Sequence, residues 1–453
     1  MIYDYIIVGM GPTGLTLGLN LMNTNKSVLF IEAAEKIGGC WKVGYTKNTK
    51  GGDNNGYFVE HSPKVLSKTG TRSFNKLIKY LGVEPDYKDI YKKSTFLDVS
   101  RSVFKEFLIM DIIKLGIYIF LYMLSLNDKK VTIKDWCVSK SVSVRAQRYL
   151  NILSIAVSNT YDKLTIHAFV QFMYRRYQYM FNLQQLHRPN EWLAVCYERL
   201  KQNKNFHFQT NTRVKRFAIS KGDNKISELI TEYDDVHRAR EYVCCVPVRE
   251  LYMIMRNSLY PNWFVSLNRF RHFVNRSSYT GIGFQMHYTN KFALPEKWCW
   301  SCVGDWKIIV VDKTGLLEKI SYDKEVKMVL SCVIVDLDSR SRHIGKSVNE
   351  CDTMDEIIKE ATRQIRVTMG NDTEYQEPKR ITVSDTVYKS KEYGWNSINS
   401  SFSYSMGSIA YKGKLDNLFT VGPHNKNDVV IIDTAIDIAQ SFTKEVFKIK
   451  TMF

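Results

Sequence analysis

Regularly spaced cysteines are missing. The nine present are an odd set without a framework, which excludes a disulfide-stapled secreted scaffold and points to reduced thiols in an intracellular, cytoplasmic protein. No charged and apolar leader opens the chain, which begins directly on a strand-like run. The one CxxC, Cys299 to Cys302 in Trp298-Cys299-Trp300-Ser301-Cys302, lacks the second pair that a zinc site needs and reads as two packed thiols in a strand, so no metal centre is expected. Low-complexity segments and internal repeats are absent too, which excludes solenoids and disordered tails. No DNA- or RNA-recognition motif accompanies the excess of basic residues. The formal charge of +18, scattered along a chain rich in Lys, Asn, Tyr and Ile, therefore reads as compositional bias before nucleic-acid binding.

The chain does have size and apolar content. Its 453 residues exceed one ordinary core, so two or three interleaved units are expected, and 44% hydrophobic with 13% aromatic residues is a globular composition.

The N-terminal stretch IIVGMGPTGLTLGLNLMNTNKSVLFIEAAEKIGGCWK carries the strongest signal. An apolar strand ends at Gly9, where a tight turn is needed. Gly11 removes a side chain from the path of a pyrophosphate, and Gly14 lets the next helix, about Thr13 to Asn23 with Pro12 at its start, pack on the strand. That helix start presents free N–H groups to phosphate. A second strand, Ser27 to Ile31, ends at Glu32, 18 residues after Gly14, where a carboxylate accepts from ribose hydroxyls and disfavours a 2′-phosphate. Strand, glycines, helix, strand and acid in this order make a dinucleotide-binding βαβ half, the bland alternative being a tight turn between packed elements.

A second glycine pair follows the acid in Glu35-Lys36-Ile37-Gly38-Gly39-Cys40-Trp41. The stretch from Glu32 to Gly39 resembles the extended motif of the flavin-containing amine oxidase superfamily, which includes phytoene desaturase, protoporphyrinogen oxidase and UDP-galactopyranose mutase relatives. The resemblance implies FAD, with Gly38, Gly39, Cys40 and Trp41 beside the pyrophosphate and flavin. Cys40 stands where the family often has Arg, leaving Lys42 or backbone groups to contact phosphate. The segment Tyr57-Phe58-Val59-Glu60-His61-Ser62-Pro63-Lys64-Val65-Leu66, after a loop at 51–56, is similar to the part that runs past the flavin. A helix from Asn190 to Leu200, the run Phe206 to Val214 and the strand Glu241 to Pro247 are similar to the return to the cofactor domain. This implies Val214 at the adenine end. Asn417 to Pro423, with Gly422, and the helix from Asp433 to Ala439 are similar to the family's last strand and closing helix, which implies that Gly422 and Asp433 border the flavin.

Departures qualify the function. The position matching the amine oxidases' substrate-domain lysine falls near Gly283, on a strand with no lysine, which puts simple amine oxidation in doubt. The spacing from Gly422 to Asp433 is also similar to UDP-galactopyranose mutase, but Pro423 stands where that family has Arg. The run Phe104 to Leu126 is the most apolar in the chain. Interrupted by Lys114, it is too short to span a bilayer and is expected in the substrate-domain core, with peripheral membrane contact through 112–124 as the alternative. Arg145, Arg148, Arg175 and Arg176 read as a solvated helix face before an acid-gripping set. His167, His187 and His207 lack metal spacing, and His424 is the one that the resemblance sets near the flavin.

The expected fold class is α/β: a Rossmann-like FAD-binding domain from 1–84, 198–256 and 385–453, and an α+β substrate domain from 85–197 and 257–384. The expected function is an FAD-dependent oxidoreductase that moves hydride from a small organic substrate to the flavin. The alternatives are a mutase-like flavoenzyme or a non-catalytic binding or structural protein. The sequence names no catalytic acid or base.

Overall fold

The computed structural model describes residues 1–46, 56–67, 70–90, 105–126, 128, 130–156, 160–176, 183–220, 222–258, 263–279, 281–294, 302–369, 376–384, 386–391, 394–397, 401–402, 408–425 and 431–453. Residues 51–55 of the loop expected at 51–56, most of the CxxC stretch and the side chains of Arg175 and Arg176 lie outside the described residues.

The strands Ile2–Val8 and Val28–Ile31 pair in parallel, as the βαβ reading requires, with the helix Pro12–Leu21 between them. Around them stands a sheet of seven strands among the described residues. Phe206–Gln209 pairs in parallel with Val28–Ile31, Val236–Cys244 with Ile2–Val8, and Leu418–Thr420 with the end of Val236–Cys244. The start of Val236–Cys244 continues antiparallel into Ile226–Thr231 and Val214–Ile219. Consecutive residues of these strands enter different cores because side chains alternate across a sheet. Ile7, Phe30 and Val243 face the helices Pro12–Leu21, Glu191–Lys201 and Ile432–Phe442. Ile6, Val8, Leu29, Ile31, Tyr242 and Cys244 face Val248–Asn257 and Trp263. Each fully buried Phe or Leu in these layers contributes about 1.5–3 kcal/mol.

A second, antiparallel sheet has the order Cys302–Val303, Ile308–Asp312, Met328–Ile334, Ile282–Tyr288 and Arg380–Val383. The helix Met354–Met369 covers it with Ile357, Ala361 and Ile365, four residues apart and all fully buried. The helices Ile109–Met123, Ile133–Ser139, Val144–Ala156 and Ile166–Arg176 form a separate lobe around Trp136, Leu150, Leu164 and Phe169.

The apolar run is not the core helix expected of it. Within Ile109–Met123 only Asp111 and Tyr118 are buried, while Ile109, Met110, Ile113, Ile117, Phe120 and Met123 are exposed. A helix apolar on every side can bury only the side that meets a neighbour, and among the described residues nothing covers the other. No helix of the described residues is long and apolar enough to cross a membrane.

Candidate cofactor site

The site begins where the parallel strands end. Gly9 has φ +96°, a conformation that L side chains rarely adopt, and a Cβ there would lie 2.9 Å from the Cys245 carbonyl oxygen. At Gly14 a Cβ would fall 2.0 Å from the Gly9 oxygen. Packing within the protein thus demands both glycines. Gly11 differs, since a Cβ there meets nothing nearer than the Gly39 Cα at 3.9 Å. The chain itself does not need that space, which is the property expected of a glycine that admits a ligand.

Gly11 is the N-cap of the helix Pro12–Leu21 and offers no side-chain cap, and no acid stands in the first turn. Those leading N–H groups are left to meet an anion. Thr13 is buried, and its hydroxyl donates to the Ala435 carbonyl at 3.5 Å, bringing the closing helix Ile432–Phe442 against the glycine turn.

Glu32 is buried where its strand ends, accepting from the Met10 N–H at 2.8 Å and the Ala34 N–H at 3.0 Å. Each carboxylate oxygen keeps a lone pair for a further donor such as a ribose hydroxyl. The loop before Val214 reaches this acid, with the Thr212 N–H donating to the Glu32 carbonyl at 3.0 Å. Val214 itself is buried in the core beneath.

The second glycine pair folds back onto the first. The Gly38 N–H donates to the Met10 carbonyl at 2.9 Å, and both Gly38 (φ +109°) and Gly39 (φ +54°) are left-handed. A Cβ on Gly38 would strike Leu193 at 2.6 Å. Asn190 holds the segment beyond, bonding both the N–H and the carbonyl of Val43 at 2.9 and 2.7 Å. Trp41 packs at 6.2 Å from the Phe74 ring, and burial pushes the Cys40 thiol up, against the pull of Lys64, so Cys40 is a neutral thiol.

At the opposite wall Gly422 follows the strand Leu418–Thr420 and donates its N–H to Asn425 Oδ1 at 2.8 Å. His424 is buried against Thr420 in a 2.6 Å hydrogen bond, and burial lowers its pKa to about 4, so it is neutral near pH 7. Asp433 is fully buried and accepts the Phe74 N–H at 2.9 Å, capping the helix Arg72–Leu81. This identifies a helix-capping role for that carboxylate.

The sequence did not reveal the charges collected beside this site. Lys313, directly after the strand Ile308–Asp312, stands 3.2 Å from Glu60, both side chains having no exposure, and also donates to Gln185. Ser331 donates to the same Glu60 oxygen at 2.6 Å. Lys64, buried and donating to the Ser62 carbonyl at 2.7 Å, lies within electrostatic reach of both Glu60 and Cys40. Burial holds both ammonium groups below the ordinary lysine range, opposed by Glu60. His61 is pushed down to about 3 by burial and Lys64. A charged residue closing a buried strand was the one signal available for Lys313.

Gly283 explains the missing lysine. A Cβ there would fall 1.9 Å from the His61 carbonyl oxygen, so the strand Ile282–Tyr288 packs directly on the backbone that follows the strand Phe58–Glu60. Of the remaining histidines, His167 packs on Tyr122 at 4.9 Å and His207 on Tyr3 at 5.5 Å. Arg145 is exposed and paired with Glu106 at 3.2 Å, as a solvated helix face predicts.

The parallel sheet, the two joined glycine turns and the appended antiparallel and helical lobes define an α/β protein with the fold of the flavin amine oxidases. Putrescine oxidase bound to putrescine aligns with a TM-score of 0.64 at 14% identity over 99% of both chains. Cyclohexylamine oxidase from Brevibacterium oxydans aligns at 0.60 and 12% over 99% of this chain and 100% of its own, and an oxidoreductase from Methanosarcina mazei at 0.63 and 11% over 97% and 100%. These likenesses are of fold. No family model matches the chain, and no curated protein matches it by sequence.

Proposed function

We propose that this chain binds FAD and is an oxidoreductase that removes hydride from a small organic molecule. The observation that carries the reading is the side-chain-free space at Gly11, faced by Gly39 and bordered by an uncapped helix start and the Glu32 carboxylate. These residues fit an adenine dinucleotide: the Pro12–Leu21 helix start for phosphate, Glu32 for ribose, and the Gly38–Trp41 turn and Gly422 towards the flavin. FAD, when bound, supplies the two-electron acceptor, and the protein positions substrate and excludes water. The likeness in fold to putrescine and cyclohexylamine oxidases supports the reaction class.

Two observations favour a second reading, a flavoprotein fold that keeps the dinucleotide for stability. Gly283 has no room for a lysine, and Lys313 is committed to Glu60 and Gln185. Anaerobic titration decides between them. A flavin that bleaches with amines or polyenes is catalytic, one that stays oxidised across the panel is structural, and one that acts on a UDP-sugar only after reduction is mutase-like. The first test is the absorption spectrum of the purified protein and chromatography of what it releases on denaturation. Release of FAD is expected, and a colourless protein that takes up no added FAD refutes the proposal.

A further inference from the structure

We infer that the helix Ile109–Met123 docks the protein on an anionic lipid surface. Its solvent-facing side is apolar from end to end. Exposure runs from 47% at Ile113 to 76% at Ile109, and Met110, Ile117, Phe120, Met123 and Leu124 lie between these values. On a helical projection these residues share one side with Gly116, opposite the buried Asp111 and Tyr118. Isolated exposed apolar residues need no explanation, whereas a contiguous stripe of them marks a surface that meets another apolar phase. The helix is about 22 Å long, which suits lying in an interface and not crossing one.

Charge selects the occupant. Lys105 and Lys130 are exposed before and after the helix, Lys114 leans from its flank to the Ser141 carbonyl at 2.9 Å, and the neighbouring Lys140 is exposed. Among the described residues of 105–145, six cations (Lys105, Lys114, Lys130, Lys134, Lys140 and Arg145) outnumber four carboxylates, of which Glu106 pairs with Arg145, Asp111 is buried on Ser143, Asp135 accepts from Thr132 and Asp128 holds the Lys130 N–H. An apolar stripe rimmed by an excess of cations matches acyl chains below anionic headgroups. A second copy of the chain would set those lysines against themselves. The lobe that carries the helix packs its core on Val65 and Ile431, one residue from Lys64 and from the closing helix, so that lobe adjoins the candidate site. The inference does not depend on the FAD reading.

The test is flotation of the full chain with vesicles of phosphatidylcholine alone and with roughly one third phosphatidylserine. Binding to the acidic vesicles that weakens with salt is expected. It should drop about tenfold or more in Ile113→Ser/Ile117→Ser/Phe120→Ser and severalfold in Lys114→Gln/Lys140→Gln. Circular dichroism of both variants verifies that they fold. Failure of the wild-type chain to float with either vesicle overturns the inference, as does equal binding to uncharged vesicles. A wild-type dimer in light scattering that the triple serine variant converts to monomer overturns it in favour of an interface between copies.

Discussion

Lys313 and Glu60 form an ion pair with 3.2 Å between Nζ and Oε1 and no solvent contact on either side chain. The pair joins the second, antiparallel sheet to the segment that follows the glycine turns, since Glu60 belongs to the strand Phe58–Glu60 and Lys313 follows Ile308–Asp312. Desolvation makes such a pair a weak source of net stability but a costly one to halve.

Lys313→Met is therefore expected to cost about 3–5 kcal/mol by stranding the Glu60 carboxylate, and adding Glu60→Gln should restore part of the loss. Urea denaturation of the two variants measures this. A single variant as stable as wild type would show that the charge is not held in the core.

Gly11→Val and Gly14→Ala should separate cofactor retention from folding. The first adds a side chain where the protein has room and should lose bound flavin while keeping its fold. The second drives a Cβ to 2.0 Å from the Gly9 oxygen and should cost about 3 kcal/mol or more. Thermal unfolding and flavin absorbance, taken together, check both. Full flavin occupancy in Gly11→Val would sink the site.

Asp433→Ala should lower stability by about 1–2 kcal/mol through loss of the cap on the Phe74 N–H. Differential scanning calorimetry reads the change. An unaltered melting temperature, coupled with loss of flavin, would assign the carboxylate to the cofactor instead.

His287 should make stability sensitive to acid. Its Nε2–H donates to the Phe58 carbonyl at 3.1 Å while Nδ1 is buried without a partner among the described residues, so burial lowers the pKa from 6.5 to about 4. Between those values the unfolded chain binds more protons than the folded one. This histidine's contribution is thus intact above pH 6.5 and lost as pH falls towards 4, by up to ~3 kcal/mol. His287→Phe should flatten the stability profile over that window, and an unchanged slope would contradict the assignment.

Local chemistry was legible in the sequence wherever neighbours in the chain are neighbours in space. Gly9, Gly14 and Glu32 act within one βαβ unit, so their spacing alone announced the turn and the acid. The helix Glu191–Lys201 and the strand Ile282–Tyr288 stand where the resemblance implied a helix from Asn190 to Leu200 and a strand about Gly283. The role of Asp433 was not, because its partner Phe74 is 359 residues away. Nor was the exposure of Ile109–Met123, because an apolar run states what a helix prefers to bury and not whether a partner exists.

By itself, the sequence determined the dinucleotide-type turn and the alternation that sends Ile7 to one core and Ile6 and Val8 to the other. These follow from backbone stereochemistry and side-chain period, which act over a few residues. Only the tertiary structure decided that Gly38 bonds to Met10, that Gly283 abuts His61, that Lys313 finds Glu60, and that one side of an apolar helix is left facing out. Such contacts depend on which distant surfaces close over one another, and close packing and desolvation settle that only once the whole chain has folded.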